Sequence, residues 1–282
     1  MIRKIDILDR AAEWQLRPEI VEKDYVLGWL LAALGSLEDV RPLWIFKGGT
    51  CLKKCVLETY RFSEDLDFSL LPAAPYGEEE VRTVLQSMAF SATELSGIDI
   101  PPERVVVNLR KNRQGQPTYE GRIYYRGPLG RHDYARVLMD LTNAERVVDT
   151  PTPRAIFHPY PDDLPATTTI LTYSSSELLA EKLRALFERT RPRDLYDITY
   201  LLEHNTDGFD QEHVRRIFQE KCEFKGFPMP SSADLFHAVQ ASEEMRSEWA
   251  NMLAHQLATL PDLHALLARL PSLLRWLDGS TT

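Results

Sequence analysis

The sequence predicts an α+β protein in which a small mixed sheet with helices is followed by an α-helical C-terminal part. Short apolar segments with strand-like alternation lie between residues 43 and 141, interleaved with helical patterns. A proline-rich segment at 149–168 then interrupts the pattern. Beyond it nearly all of the chain has helical periodicity, which indicates two parts, 1–168 and 169–282.

Composition restricts the setting in which this fold works. The chain has 282 residues, 44% of them hydrophobic and 27% charged, as in soluble globular proteins. The longest apolar stretch, Val26 to Leu34, is too short to span a membrane, and the N-terminus shows no signal-peptide pattern. Cys51, Cys55 and Cys222 have no zinc-site spacing, so we expect reduced thiols in the cytoplasm and no membrane partner.

The first elements surround a turn rich in glycine. Apolar residues recur at helical spacing after Pro18, a residue favoured in the first turn of a helix. Residues 43–46 form a short apolar run that predicts a buried strand, and 50–58 predict a short helix. The alternation in Asp65 to Leu70 predicts a second strand.

The remaining elements follow in order. Residues 78–95 predict a helix with its apolar side chains on one face. Three strands are predicted at 104–110, 119–126 and 134–141, with a hairpin-like connection at 111–116. The C-terminal helices are predicted at 176–189, 194–204, 211–222, 233–260 and 262–277.

Two motifs in the first part carry chemistry. Gly48 and Gly49 close the first strand, and glycine lets backbone N–H groups come close to an anion. Asp65 and Asp67 lie two apart in a strand, so both carboxylates project from one face. Two carboxylates at one point are unfavourable without a cation, which predicts a site for magnesium and a nucleoside triphosphate. The alternative is an exposed strand end whose acids face water.

Three further residues are weaker candidates by local pattern alone. Asp140 ends an apolar strand and is either a third acid of the site or a surface acid. Lys182 lies at the edge of a helical apolar stripe, where a lysine by default extends to water. Asp194 fits a first-turn acid of the next helix, and Asp197 lies one turn further on the same flank.

Taken together, these motifs resemble a known family. The segments 46–50 (FKGGT) and 61–68 (RFSEDLDF) resemble the signature of the AbiEii/AbiGii-type nucleotidyltransferase toxins, within the DNA polymerase β-like superfamily. Segments 21–25 (VEKDY), 180–186 (AEKLRAL) and 193–197 (RDLYD) match the same pattern. The similarity covers about residues 18 to 204, and the order of all five segments is more specific than any one of them.

The resemblance implies a polymerase β-like core with the glycine turn beside the acid pair, and a helical C-terminal domain that completes the active-site cleft. The residue roles it implies are Asp65, Asp67 and Asp140 as magnesium ligands and catalytic acids, Gly48, Gly49 and Thr50 as the phosphate-side turn, Lys182 as a triphosphate contact and Asp197 as an active-site acid.

The function implied is Mg²⁺-dependent transfer of a nucleoside monophosphate from an NTP to an acceptor, most simply tRNA or another RNA. The setting implied is a bacterial toxin–antitoxin or phage-defence pair with a separate antitoxin protein. The net charge of −9 argues against broad coating of nucleic acid, so a restricted basic face is expected near Arg184, Arg189, Arg191 and Arg193.

Other readings of the same residues stay open. The site could nucleotidylate a protein or transfer phosphate. Asp65-Leu66-Asp67 could be the metal-binding DxD of a glycosyltransferase, although the short strands supply less than such a domain needs. A domain that binds nucleotide or RNA without turnover is the non-enzymatic alternative, and the intact acids and Lys182 argue against it.

Overall fold

A computed structural model describes residues 1–58, 60–111, 115–204 and 208–279. The chain divides into two compact units. The first consists of Met1–Val147 and Pro151–Tyr173, and the second of Val148–Thr150 and the chain from Ser174 onward. The centre of the predicted hairpin connection, 112–114, lies outside the described residues.

The first unit is built on a mixed sheet. Its seven strands in the described chain are β1 Trp44–Lys47, β2 Asp65–Leu70, β3 Val106–Lys111, β4 Pro117–Tyr125, β5 Ala135–Thr142, β6 Thr152–Ala155 and β7 Thr169–Thr172. They are ordered β3-β4-β5-β2-β1-β7-β6. Strands β2 and β5 are parallel, as are β1 and β7, and the other neighbours are antiparallel. This arrangement confirms the predicted α+β class.

Helices flank this sheet. The first unit contains α1 Lys4–Trp14, α2 Pro18–Ser36, α3 Gly48–Cys51 and α4 Glu78–Ser96, and α3 continues as a π-helix over Leu52–Val56. Helix α2 is buried on nearly all sides, which explains why its sequence is apolar almost all round. Helix α4 ends at Gly97, whose left-handed backbone (φ 71°) suits glycine.

The two faces of the sheet differ sharply in polarity. Leu66, Phe68, Val137 and Met139 are fully buried on one face. Leu85 of α4 lies against the backbone of β4 at Gly121 on this same face, so the helix layer covers it. Side chains alternate along a strand, and the opposite face therefore carries the intervening polar residues. The predicted carboxylates belong to that polar face.

The proline-rich segment contains two strands that were not predicted. Residues 149–168 were expected to form a linker or a long loop, but β6 lies within them and β7 follows directly. Pro153 is inside β6, which is an edge strand of the sheet. An edge strand tolerates proline because one side of it needs no ladder hydrogen bonds.

The second unit is helical in its described part. Its helices are α5 Ser175–Arg189, α6 Pro192–His204, α7 Gln211–Phe224, α8 Ser232–Ala241, α9 Glu243–Leu253 and α10 Leu263–Leu274. The single helix predicted over 233–260 is wrong. Ser242 interrupts it, and its hydroxyl caps α9 by accepting a hydrogen bond from the N–H of Met245 at 3.1 Å.

Membrane insertion finds no support in these helices. Across the described residues, none combines the length and the apolar character that crossing a bilayer requires.

Candidate active site

The strand register gathers the predicted carboxylates of the first unit. Asp67 on β2 is paired directly with Asp140 on the parallel strand β5, and on its other side with Lys47 on β1. Asp140 is paired in turn with Glu120 on β4. Because direct partners share a face, these four side chains form a row across the sheet, and Asp65 lies two residues along β2 on the same face.

This concentration of negative charge alters the ionisation of Asp140. The residue keeps an exposed surface, but neighbouring groups crowd its carboxyl group and remove water from it. This desolvation, followed by the charges of Asp67, Asp65 and Glu120, raises the pKa of Asp140 to about 6, and Lys47 opposes the rise. A carboxyl group with such a pKa can accept a proton near neutral pH.

Gly48 fits the turn beside Asp67 for two independent reasons. Its backbone is left-handed, with φ of 79°, a conformation that residues with a Cβ rarely adopt. A Cβ at this position would also collide with the carboxylate of Asp67, since it would lie 2.9 Å from Cγ and in closer contact with Oδ2. The turn backbone therefore approaches the acid strand as closely as a chain without a side chain allows.

The next two residues tie the turn to its surroundings. A Cβ on Gly49 would lie 2.7 Å from Nη2 of Arg61 and 3.0 Å from Oγ of Ser63, so the buried Arg61 packs directly on the turn. The buried hydroxyl of Thr50 donates to the carbonyl oxygen of Asp65 at 2.5 Å. The phosphate role predicted for Gly48, Gly49 and Thr50 stays a prediction, and the structure adds that Thr50 positions the acid strand.

Lys47 has neighbours that the sequence gave no reason to expect. It is 8% exposed, and its Nζ forms an ion pair with Glu145 and lies 5.8 Å from the ring centre of Tyr173. Ser69 connects this group, because its hydroxyl is 2.7 Å from that of Tyr173 and 3.5 Å from Oε2 of Glu145. Glu145 follows β5 in an irregular segment with no recognisable motif, so only the fold could identify it.

The 21–25 segment in α2 has a structural role. Lys23 pairs at 2.9 Å with Glu64, the residue that precedes the acid pair. Asp24 and Lys54, each with a side chain 1% exposed, form a buried ion pair at 2.9 Å, and the hydroxyl of Tyr160 donates to Asp24 at 2.9 Å. These bonds attach α2 to the π-helix after the glycine turn and to the segment that leads into β2.

Two further residues of the same segment bind other parts of the first unit. Glu22 accepts a hydrogen bond from the N–H of Leu129 at 2.7 Å. The hydroxyl of Tyr25 donates to Asp162 at 2.6 Å, and Asp162 also contacts His158 at 3.1 Å. Burial and the charge of Lys54 lower the pKa of His158. The motif thus explains itself as scaffold around the turn and acid pair.

Lys182 and Asp197 belong to the second unit, where they form a buried charge cluster. The Nζ of Lys182 lies 2.7 Å from Asp197 and 3.2 Å from Asp194, and both aspartates are fully buried. Arg189 adds a second cation to Asp194 at 2.7 Å. Burial would raise the pKa of Asp194, but the charges of Lys182 and Arg189 outweigh it and lower that pKa. The default expectation that Lys182 extends to water is therefore wrong, whereas the catalytic roles of Lys182 and Asp197 stay predictions.

The basic face expected near α5 and α6 is also wrong. Arg184 is 6% exposed and pairs with Glu181 at 2.6 Å and with Glu188. Arg189 is occupied by Asp194 as described, and Arg191 lies 3.9 Å from Glu244. Acidic partners thus neutralise much of the positive charge that the sequence concentrates there.

The donor set of the first unit suits a hard cation. Carboxylate oxygens are preferred ligands of Mg²⁺, which is usually held by one or two carboxylates together with phosphate oxygens and water. Within the described ranges, no three carboxylate, histidine or cysteine side chains are grouped closely enough to hold a metal by themselves. Asp65 and Asp67 on one face therefore fit an ion that a bound triphosphate helps to coordinate. The metal role of Asp65, Asp67 and Asp140 stays a prediction.

Comparison with known proteins assigns this arrangement to a class. Residues 29–278 match the family model described as "Nucleotidyl transferase AbiEii toxin, Type IV TA system". Among solved structures, MenT4, a nucleotidyltransferase toxin from Mycobacterium tuberculosis H37Rv, matches with a TM-score of 0.59 and 19% identity. The match covers 100% of this chain and 91% of that chain, which supports a shared fold. No curated protein sequence matches the chain.

Proposed function

Because this chain belongs to the AbiEii family of nucleotidyltransferase toxins of type IV toxin–antitoxin systems, we propose that it transfers a nucleoside monophosphate from an NTP to the hydroxyl of an RNA, with tRNA as the acceptor class. The reaction proposed requires Mg²⁺. The antitoxin partner that the family implies would be a separate protein, and phage defence is the setting that we propose for the pair.

One observation carries the proposal. Lys47, Asp67 and Asp140 lie side by side on three adjacent strands, with Asp65 on the same face and Gly48 against the Asp67 carboxylate. Acids of one sign gathered beside a turn free of side chains suit a metal-bound triphosphate. A purely structural surface would gain nothing from placing these carboxylates together.

Each residue of the row has a proposed task. Asp65 and Asp67 would hold Mg²⁺, which when bound neutralises charge on the triphosphate oxygens and orients the α-phosphate. Lys47 offsets part of the negative charge of the row, and Glu145 keeps its ammonium group in place. Gly48 leaves room for the phosphates to approach the strand backbone.

Asp140 is proposed to receive the proton. The acceptor hydroxyl oxygen forms a bond to the α-phosphorus while the bond from that phosphorus to the bridging oxygen of the β-phosphate breaks. Pyrophosphate leaves with that electron pair, and the hydroxyl proton passes to a carboxylate oxygen of Asp140. Its pKa of about 6 places this group close to the value that a base working near neutral pH needs.

Transfer of labelled NTPs to RNA tests the proposal. The protein is incubated with each α-labelled NTP, Mg²⁺ and total RNA, and label is followed into RNA and protein bands. Wild type is expected to label RNA, and Asp67→Asn is expected to lose at least about 100-fold of the rate. Asp133→Asn removes an equally acidic group whose side chain is fully exposed, and it serves as the matched control with wild-type activity expected.

The alternatives give different results. Label found in protein bands would favour nucleotidylation of a protein. Metal-dependent binding of NTP in calorimetry, with no transfer to any acceptor, would favour a binding module. Equal activity of Asp67→Asn and wild type in every assay would refute the proposed site.

A further inference from the structure

The polar face of strands β3 to β5 carries arginines as well as the carboxylates. Asp140 and Glu120 are direct partners on β5 and β4. Arg136 is four residues from Asp140 and Arg122 is two residues from Glu120, so both project from the same face as the acids. Arg110 on β3 follows the same alternation. The row of acids therefore continues along the sheet into a row of cations.

These arginines are accessible and not fully neutralised. Arg110 and Arg122 have side chains 55% and 29% exposed, and they share one carboxylate, that of Glu120, at 3.5 and 2.6 Å. Two guanidinium groups on one carboxylate leave net positive charge. Arg136 is exposed, and within the described parts of the chain it makes no hydrogen bond or ion pair.

An aromatic residue extends this surface beyond the start of β5. The guanidinium groups of Arg126 and Arg104 lie 4.1 and 4.3 Å from the ring centre of Tyr134. Tyr134 is held by a hydrogen bond of 2.9 Å to Asp99, which lies 4.0 Å from Arg126. Tyr124, half-buried, is the direct partner of Arg136. We call Arg110, Arg122, Arg126 and Arg136 the arginine face.

We propose that the arginine face binds the phosphate backbone of the RNA acceptor and directs its terminal hydroxyl to Asp140. This inference rests on the proposed function. Strand geometry places Arg136 about 13 Å from Asp140 along β5, so a bound strand would run along the sheet from the cations to the acids. Planar guanidinium groups match phosphate oxygens, and exposed tyrosines offer rings on which bases stack.

The remaining charge distribution favours this location. The chain has a net charge of −9, and the arginines of α5 and α6 are engaged by acids. An acidic chain that acts on RNA needs a local positive surface to overcome general repulsion. The arginine face supplies it next to the acid row, in the same unit and on the same face.

Binding measurements with a double variant test the proposal. Arg110→Gln/Arg136→Gln removes two guanidinium groups of the face, whereas Arg10→Gln/Arg82→Gln removes two from helices α1 and α4, with exposures of 35% and 29%. Fluorescein-labelled total tRNA is titrated with each protein at several salt concentrations, and binding is followed by anisotropy. Calorimetry with a non-hydrolysable NTP and Mg²⁺ measures nucleotide affinity in parallel.

The face variant is expected to bind tRNA about tenfold or more weakly, with a salt dependence reduced by one to two ions released, about 0.7 for each lost phosphate contact on a single strand. The KM for RNA should rise while kcat at saturating RNA and NTP affinity stay at wild-type values. The helix variant should match wild type. If the double variant melts well below wild type, Arg136→Gln alone, a residue without an ion pair, is used.

Other outcomes separate the two levels of the argument. Unchanged tRNA affinity and salt dependence, with transfer to RNA intact, would overturn the arginine face and leave the proposed function standing. Competition by polyglutamate as strong as by tRNA would indicate an acidic protein partner and overturn the RNA assignment. A wild type that neither binds nor labels RNA would overturn both.

Discussion

Replacing Gly48 with alanine tests the close contact between the glycine turn and the acid strand. Alanine in the left-handed backbone of this residue (φ 79°) costs about 1–2 kcal/mol. Its Cβ would also lie 2.9 Å from Cγ and 3.1 Å from Cβ of Asp67, where unstrained carbon atoms stay about 3.5–4.0 Å apart. The Asp67 side chain must therefore recede by about 0.6–0.9 Å, and a misplacement of about 1 Å can cost on the order of 100-fold in rate.

Gly130→Ala provides the matched control. Gly130 is also left-handed, with φ of 66°, but nothing lies within 4 Å of its added Cβ, so only the backbone cost applies. Both variants should lose about 1–2 kcal/mol of unfolding free energy in urea, with any excess for Gly48→Ala due to the contact. Only Gly48→Ala should lose about 100-fold in nucleotidyl transfer. Equal transfer rates for the two variants would refute the reasoning.

Further perturbations address charge. Ionising Asp140 becomes unfavourable to the fold as pH rises from its ordinary pKa of 3.8 to about 6, so Asp140→Asn should raise the Tm of the metal-free protein at pH 7.5, and the gain should vanish towards pH 4. Lys182→Met should lower the free energy of unfolding by about 3–5 kcal/mol in urea, because two buried carboxylates lose their cation. Lys54→Met should lose a similar amount by stranding Asp24, while the exposed Lys4→Met should stay within about 0.5 kcal/mol. Millimolar Mg²⁺ with NTP should raise the Tm of wild type and not that of Asp67→Asn.

The class of fold and the gathering of the acids could be predicted because both follow from local rules. Alternation alone placed Asp65 and Asp67 on one face, and a strand ending at Asp140 supplied a third acid. Pairing of that strand with β2 was beyond sequence periodicity, but the register confirms that Asp140 and Asp67 are neighbours. Gly48 was identified as a turn residue, and its contact with Asp67 emerged only in three dimensions.

What failed depended on tertiary context. The helical wheel placed Arg184 away from the core and Lys182 towards water, yet both are buried because acids on neighbouring positions compensate their charge. The prolines of 149–168 hid β6, since proline disfavours central strands and not edges. Glu145 has no local signature and is recognised only by its ion pair with Lys47.

Intact-mass analysis of tRNA from cells that express the wild type or Asp67→Asn tests the central claim most directly. The account predicts that wild-type expression slows growth and that part of the tRNA gains the mass of one or more nucleoside monophosphates. Cells expressing Asp67→Asn should grow normally and keep tRNA of unchanged mass. Identical tRNA masses in the two cultures, at equal protein levels and with growth slowed by wild type, would contradict nucleotidyl transfer to tRNA through the Asp65/Asp67 site.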